Sequence, residues 1–517
     1  MNQRVTYGDV PIDRPALDEV PAAYRDRIGD LFDTWASVRA RNAVLREYYE
    51  MKTRVRNLNI SIPASVSDRF ANIEGVVGWC SKAVHAHSMR SVFDGYVFSG
   101  ESDAELDRLV RENRMRSLYQ QACASSLVYG VSALTVMAGN EGQPDVVVRA
   151  YSANQFCALW DKDENRVACG VVLSDVDRDG KPCRYVVHMP DAVLTLERID
   201  GAGYGIAEDA LTRWACEVEP NPMGRPLMEV IVHDPDIDRP LGHSMLTPEL
   251  TGIVDKAMRD VFRMEIGAEF YTFPQRYILG AAEDLFAAPP EPDAELDEDG
   301  DPVDADGNKL PRVQSPVAKF QAYMGALLAI TRDEDGDVPQ VGQFSPTSAE
   351  NFTMAFENDA QRFSGATNVP LAQLGVLSST YTSSDALNAT NDPLVLEVET
   401  MNRRNAEAME SVALMMLAVR QGVPIDALDP SARAVQACFR DPSKPTLASR
   451  MDAWSKFAGI DPSIVGTDVF YEGMGLDQPT ITRLKSEKEQ AGAIAALNQI
   501  AAAMSPQQPA AEVEDGS

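Results

Sequence analysis

The stretch SPTSAENFTMAFENDAQRFSGATNVPLAQLGVLSSTYTSSDALNATNDPLVLEVETMNRRNAEAMESVALMMLAVR, Ser345 to Arg420, decides how this chain is built. A helical pattern ends near Gly365, a polar loop rich in Ser, Thr and Gly follows, and a much longer helical pattern opens near Asp385. Leu387, Leu394, Val398, Met401, Met409, Val412, Met416 and Val419 recur at helical spacings and mark one apolar face. About 35 residues at ~1.5 Å each make a rod of roughly 50 Å. Pro393 lacks an amide proton and crowds the preceding turn, so a kink or interruption is expected there. Helix, polar loop and long helix suit a structural or mechanical part better than an active site. An ordinary core helix after an ordinary loop is the plainer reading of the same pattern.

Outward from this stretch, the pattern changes several times. Arg25 to Thr53 reads as a helix with Ile28, Leu31, Phe32, Trp35, Val38 and Leu45 on one face. Val76 to Met89 and Ala104 to Tyr129 also read as helices. From Val131 onward, β-branched runs (VSALTVM, DVVVRAY, ACGVVLSDV, RYVVHM, EVIVH) alternate with Gly, Pro, Asn and Asp, which predicts strands and turns. A helix is expected from Thr247-Pro248 to Tyr271, with Thr as cap and Pro in the first turn. On it Lys256, Arg259 and Arg263 share a face, and Asp255 with Arg259 and Asp260 with Arg263 are spaced to pair. A solvated surface is the ordinary explanation of such a face.

Glu283 to Asp306 holds eleven acidic residues and no basic one, which predicts a self-repelling mobile loop. Helical character returns at Val317 to Ile330, VPQVGQF reads as a strand, and helices are expected at Leu447 to Phe457 and Thr480 to Met504. The final SPQQPAAEVEDGS reads as a disordered tail.

Composition excludes several roles. At 517 residues the chain exceeds what one core usually serves, so two or more folding units are expected. No apolar run approaches the ~18 residues needed to span a bilayer. MNQRVTYGDVPIDRP lacks the basic region and apolar core of a signal peptide, so a cytoplasmic protein is expected. Seven scattered cysteines without a C-x-x-C pair read as free thiols packed as small hydrophobes. With 47 basic against 78 acidic residues, a net charge of −31, tight non-specific DNA binding is excluded as the main role. Such binding draws its affinity from Lys and Arg displacing counterions.

No catalytic constellation emerges, and no cofactor or metal is expected. Asp175, Asp177, Asp179 and Gly180 open like a calcium loop, but Val186 stands where a glutamate is required and strands flank it. A hairpin with an Asp-Gly turn explains it better. His85 and His87 are two apart on a helix and point different ways. His188, His233 and His243 are scattered. GAGYG at Gly201 to Gly205 lacks the strand–helix setting of a dinucleotide site, and neither G-x-x-x-x-G-K-[ST] nor G-x-S-x-G occurs.

Several stretches together resemble the portal proteins of tailed bacteriophages, especially those of actinobacteriophages. They are LREYYEMKTRVRNLNISIP (Leu45–Pro63), GVVGWCSKAV (Gly75–Val84) and GHSMLTPELTGIVDKAMRDVFRMEIGAEFYTFPQRYILG (Gly242–Gly280). VGQFSP, NVPLAQLGV and SSDALNA follow in order, so the likeness spans about 45 to 490. No single piece is a strict signature; order and spacing carry the resemblance.

The resemblance implies an α+β portal fold. Residues 1–244 would be the N-terminal part of the wing, 245–272 the first stem helix, and 273–344 a clip carrying the acidic loop 283–306. The second stem helix would be 345–368 and the tunnel loop 369–385. Then come the long kinked helix with the rest of the wing (386–440), a crown (441–505) and the tail (506–517). It further implies a homo-oligomeric ring, typically a dodecamer, at one capsid vertex, passing double-stranded DNA during packaging and ejection. Val376, Leu377, Ser378, Ser379, Thr380, Tyr381, Thr382, Ser383 and Ser384 would face that DNA, and Lys256, Arg259 and Arg263 would form a charged stem face.

The implied partners are the terminase large subunit, major capsid and scaffolding proteins and a head–tail adaptor, with no membrane. The implied location is the virion, after assembly in the host cytoplasm. A channel with few fixed cations would let DNA slide without gripping it. A metal-dependent hydrolase using the Asp-rich stretches, or another virion structural or adaptor protein, are the alternatives.

Overall fold

A computed structural model describes residues 8–12, 14–51, 76–98, 104–199, 213–272, 276–279, 303, 340–343, 350–376, 389–443, 447–476 and 480–488. The chain divides into two compact units, Met1–Pro442 and Ser443–Ser517. The architecture is mixed α and β, as the sequence led us to expect. The acidic segment 283–306, apart from Val303, lies outside the described residues, as do the Val317–Ile330 helix, GAGYG, the tail and Leu377–Ser384.

In the first unit, helix α1 (Ala22–Tyr49) buries Ile28, Leu31, Phe32, Trp35 and Leu45, the face its spacing announced, with Asn42 buried among them. Its first half covers a five-stranded antiparallel meander, β4 (Phe156–Asp161), β5 (Arg166–Val176), β6 (Pro182–His188), β7 (Ala192–Ile199) and β8 (Arg213–Pro220). Trp35 and Phe32 pack edge-on to Tyr185 of β6 there. The opposite face of this sheet, with Val172 and Val186, belongs to the main core. Burial on both faces is why ACGVVL in β5 is a continuous apolar run rather than an alternation.

The main core gathers helix α2 (Trp79–Ser88), α4 (Met115–Tyr129) and a second sheet in the order β3–β2–β9 (Val146–Ser152, Val131–Ala138, Met228–Val232). The single helix expected over 104–129 is two, α3 (Ala104–Glu112) and α4. Arg114 between them takes a left-handed φ of 50°, a break that no Gly or Pro advertises. Strand β1 (Phe93–Phe98) pairs antiparallel with β12 (Val435–Phe439), so two segments far apart in the chain share one ribbon.

Helix α5 (Pro248–Thr272) begins as predicted, the Thr247 hydroxyl accepting from the Leu250 amide at 3.4 Å. It runs antiparallel to α6 (Glu350–Thr367): Lys256 meets Asp359, and farther along Met264 meets Thr353. Strands β10 (Arg276–Leu279) and β11 (Gln340–Gln343) form a two-stranded antiparallel ribbon, the latter inside the predicted VPQVGQF strand.

The long helix α7 (Asp392–Gln421) is 30 residues, about 45 Å at ~1.5 Å per residue. Of the kink or interruption expected at Pro393, the structure shows the interruption. Pro393 sits in the first turn, where its missing amide costs nothing, so it starts this helix and does not kink it. The interruption falls just before, at the turn residues Thr390 and Asn391. Gly422, left-handed at φ 66°, ends the helix.

In the second unit, α8 (Leu447–Ile460), α9 (Asp468–Gly473) and helical residues 480–488 surround a small core of Phe470, Tyr471 and Ile481.

Candidate functional site

Two places in the first unit carry the expected functional residues. The first is the α5–α6 pair. Lys256 Nζ is 2.7 Å from Asp359 Oδ1, joining a half-exposed ammonium to a fully buried carboxylate. Arg263 pairs with the buried Asp260 at 2.8 Å, as the spacing proposed. The other expected pair does not form, because Asp255 accepts from the Tyr48 hydroxyl at 2.8 Å. Arg259 makes no side-chain hydrogen bond or ion pair among the described residues. The three cations therefore differ: one locks helix to helix, one stays on its own helix, and one is uncommitted.

The second place is the footing of segment 377–388. Its leading foot starts where α6 ends. Asn368 takes a left-handed φ of 54°, which asparagine tolerates better than most residues. Its amide donates to Glu397 Oε2 on α7 at 3.0 Å. A 3₁₀ turn, Leu371–Leu374, follows and closes on Gly375 at φ 85°. Val369 and Leu374 are buried and Val376 packs against the core, so this part of the expected loop is anchored. The Trp79 indole N–H reaches the Leu374 carbonyl at 3.3 Å, and its ring rests on Phe356 and Phe363 of α6.

The trailing foot is Asn391. Its side-chain oxygen accepts from Arg90 at 2.9 Å and Gln373 at 3.5 Å. Both feet are thus tied to α2 or the turn after it. Of the residues expected to face DNA, only Val376 is described.

Beside the leading foot lies a cavity of about 490 Å³ lined by His87, His233, Asp234, Asn368, Glu397 and Arg404 among others. His87 Nε2 lies 3.2 Å from Glu397 Oε2. The sequence separates these residues widely, and nothing in their spacing brings them together. Among the described residues no three His, Cys, Asp or Glu side chains are placed to hold a metal ion. The Asp175–Gly180 motif is the turn between β5 and β6: Asp177 Oδ1 accepts from the Asp179 and Lys181 amides, and Gly180 has φ 80°. All seven cysteines are free, four of them buried.

The long helix is held by a buried polar relay. Asn405 donates to the Tyr119 hydroxyl (2.7 Å), Tyr119 meets Ser91 (2.6 Å), and Ser91 donates to the Asn402 oxygen (2.6 Å). Since Ser91 spends its proton on Asn402, Tyr119 must donate to Ser91. These two asparagines sit on the apolar face of α7 and were not anticipated.

Residues 29–463 match the family model of phage portal proteins described as SPP1 Gp6-like. The chain belongs to the phage portal protein family. It is 24% identical over 477 residues to the portal protein of Mycobacterium phage D29, covering 89% of this chain and 87% of that one. It is 23% identical over 465 residues to the portal protein of Mycobacterium phage L5, covering 87% and 85%.

Among solved structures it is similar to a chain in the neck of an empty gene transfer agent particle computed with C6 symmetry. The identity is 15%, with 80% of this chain and 95% of that one covered and a TM-score of 0.41. A chain in the virion of the native gene transfer agent particle matches at 14% identity, with coverage of 77% and 90% and a TM-score of 0.40. The family model, matching residues 29–463, confirms the portal resemblance of the sequence at the level of family.

Proposed function

We propose that this chain is the portal subunit of a tailed phage, forming a closed ring, a dodecamer, at one vertex of the capsid. The channel passes double-stranded DNA inward during packaging and outward during ejection. The terminase large subunit, the capsid and scaffolding proteins and a head–tail adaptor dock on the ring, and no catalytic step is assigned to it. The observation that carries this reading is the extent of the family match. From 29 to 463 it takes in the paired helices α5 and α6, both feet of segment 377–388, and α7. A polar segment held rigidly at both ends suits a channel loop, because its footing cannot drift while DNA moves past it. The charge of −31 suits a channel that does not hold its cargo.

Imaging of the purified full-length protein by electron microscopy, with particle mass measured alongside, tests the proposal. Rings of about twelve copies with an open centre are expected, since identical head-to-tail contacts must close or form filaments. A stable monomer at micromolar concentration across a range of salt would overturn it.

A further inference from the structure

Helix α1 changes cores along its length: Trp35 packs with the meander and Leu45 with the main core. Between those residues it borders a cavity of about 380 Å³, within the size range of small-ligand pockets. Val38 of α1, Phe156 and Trp160 of β4, and Leu241 give it apolar walls. Arg41 of α1 and Arg239, from the loop after β9, also line it, and no Asp or Glu among the described residues does. Arg41 donates to the Tyr129 carbonyl at 3.2 Å, a neutral acceptor. Among the described residues neither guanidinium has a carboxylate partner. Asp236, three residues before Arg239, is spent elsewhere. It accepts from the Arg239 main-chain amide at 2.6 Å and faces His243 Nε2 at 2.8 Å.

The two cations act on each other instead. Burial foremost, and then the charge of Arg239, lowers the pKa of Arg41. The loop that carries Arg239 is held in place. Its Gly242 amide donates to the Arg239 carbonyl at 2.9 Å, and Gly242 has φ 74° with no room for a Cβ beside the His233 carbonyl. On the α1 side Asn42 is fully buried, and its Nδ2 donates to the Ala153 carbonyl at 3.5 Å. That carbonyl can only accept, so Oδ1 is the atom left over, and it has no partner among the described residues.

Each part narrows the occupant. Two guanidiniums without a carboxylate require an anion, and their planar forks suit a carboxylate or a phosphate. The apolar walls require a hydrocarbon or aromatic group beside that anion. A net charge of −31 disfavours a polyanion, whereas one carboxylate brings a single charge. The Asn42 oxygen needs a donor, which a peptide amide supplies and a phosphodiester does not. We propose that the cavity between α1, β4 and the loop 234–242 binds a peptide segment of a partner protein, through a carboxylate that stands next to an apolar side chain. Use of the site by another virion protein rests on the proposed portal role. The binding itself is a property of the subunit, so its failure would leave that reading standing.

Fluorescence anisotropy of a dye-labelled, end-blocked peptide Gly-Asp-Leu-Phe-Gly, titrated with the full-length protein, tests it. Saturable binding is expected, weakened about tenfold when Asn replaces the Asp of the peptide. Arg41→Gln and Arg239→Gln should each weaken it by about as much, because each removes a charge-assisted bond. Arg239 is exposed on a loop, so its variant keeps the test decisive if Arg41→Gln does not fold. Arg178→Gln, on the β5–β6 turn and outside the lining, should change nothing. Equal affinity for the Asp and Asn peptides, no binding at protein concentrations up to about 1 mM, or binding indifferent to both arginine variants overturns the proposal. So does an oligothymidylate that displaces the peptide and depends on the same two arginines, which would make this a phosphate site.

Discussion

Lys256 and Asp359 meet at 2.7 Å across two antiparallel helices, one end of the pair 43% exposed and the other fully buried. Among the described residues Asp359 Oδ2 has no partner, so the lysine is the main compensation for that buried charge. Lys256→Met should therefore cost about 2 kcal/mol, below the full cost of breaking a buried pair because the ammonium is partly solvated. Adding Asp359→Leu should recover most of that loss, since an apolar pair of similar volume needs no compensation. Denaturant midpoints of the two single variants and the double variant decide it. Simple additivity would mean that the two side chains do not interact.

His188 gives the fold a pH dependence of defined sign. It is fully buried on β6, neither ring nitrogen finds a partner among the described residues, and burial lowers its pKa to about 4. The unfolded chain binds that proton near the ordinary histidine value of about 6.5. Stability from this residue is therefore complete above that pH and is lost as pH falls toward 4. The loss between pH 7 and pH 5 should be about 2 kcal/mol. His188→Leu should flatten the profile by that amount. Parallel profiles for the two proteins would sink the idea.

Thiol accessibility tests the packing. Burial pushes Cys80 and Cys157 up to about 12, and Cys123 and Cys169 up to about 11. A disulfide reagent at mildly alkaline pH needs an exposed thiolate. Native protein should thus react at no more than Cys183, Cys216 and Cys438, and unfolded protein at all seven. Rapid labelling of Cys123 in the native state would show that the α4 core is not closed.

Local pattern explains what the sequence revealed and what it hid. Helices α1, α2 and α5 and strands β2, β3, β5, β6 and β9 were legible because each buries a face whose period survives in the residues. Strands β7 and β8 were missed: LTLERI and WACEVEP mix charges into a sheet region only partly covered. Strand β1 was missed because its partner β12 lies at the far end of the unit, and Gly95 blurs its alternation. Asn402 and Asn405 looked like interruptions of an apolar face. Only Ser91 and Tyr119, from elements far away in sequence, turn them into a satisfied relay. His87 and Glu397 were hidden in the same way, since convergence of distant residues leaves no spacing to read.

The last prediction concerns the segment between the two feet. Its ends are fixed by Asn368, Trp79, Arg90 and Asn391, so shortening the span between them should not loosen the elements that hold them. Deleting Ser378 to Ser383 should leave folding and ring assembly intact, while DNA packaging or retention falls. Adding charge tests contact with DNA more directly. In the proposed dodecamer, Ser379→Lys with Thr382→Lys would place about two dozen new cations around the channel, and each phosphate contact releases counterions. Translocation should then slow, most at low ionic strength, where counterion release is most favourable. Packaged length against time, followed at two salt concentrations for both proteins, is the measurement. A variant that slows equally at both would point to a steric effect. Curves identical to those of the parent would mean that this segment does not face the DNA.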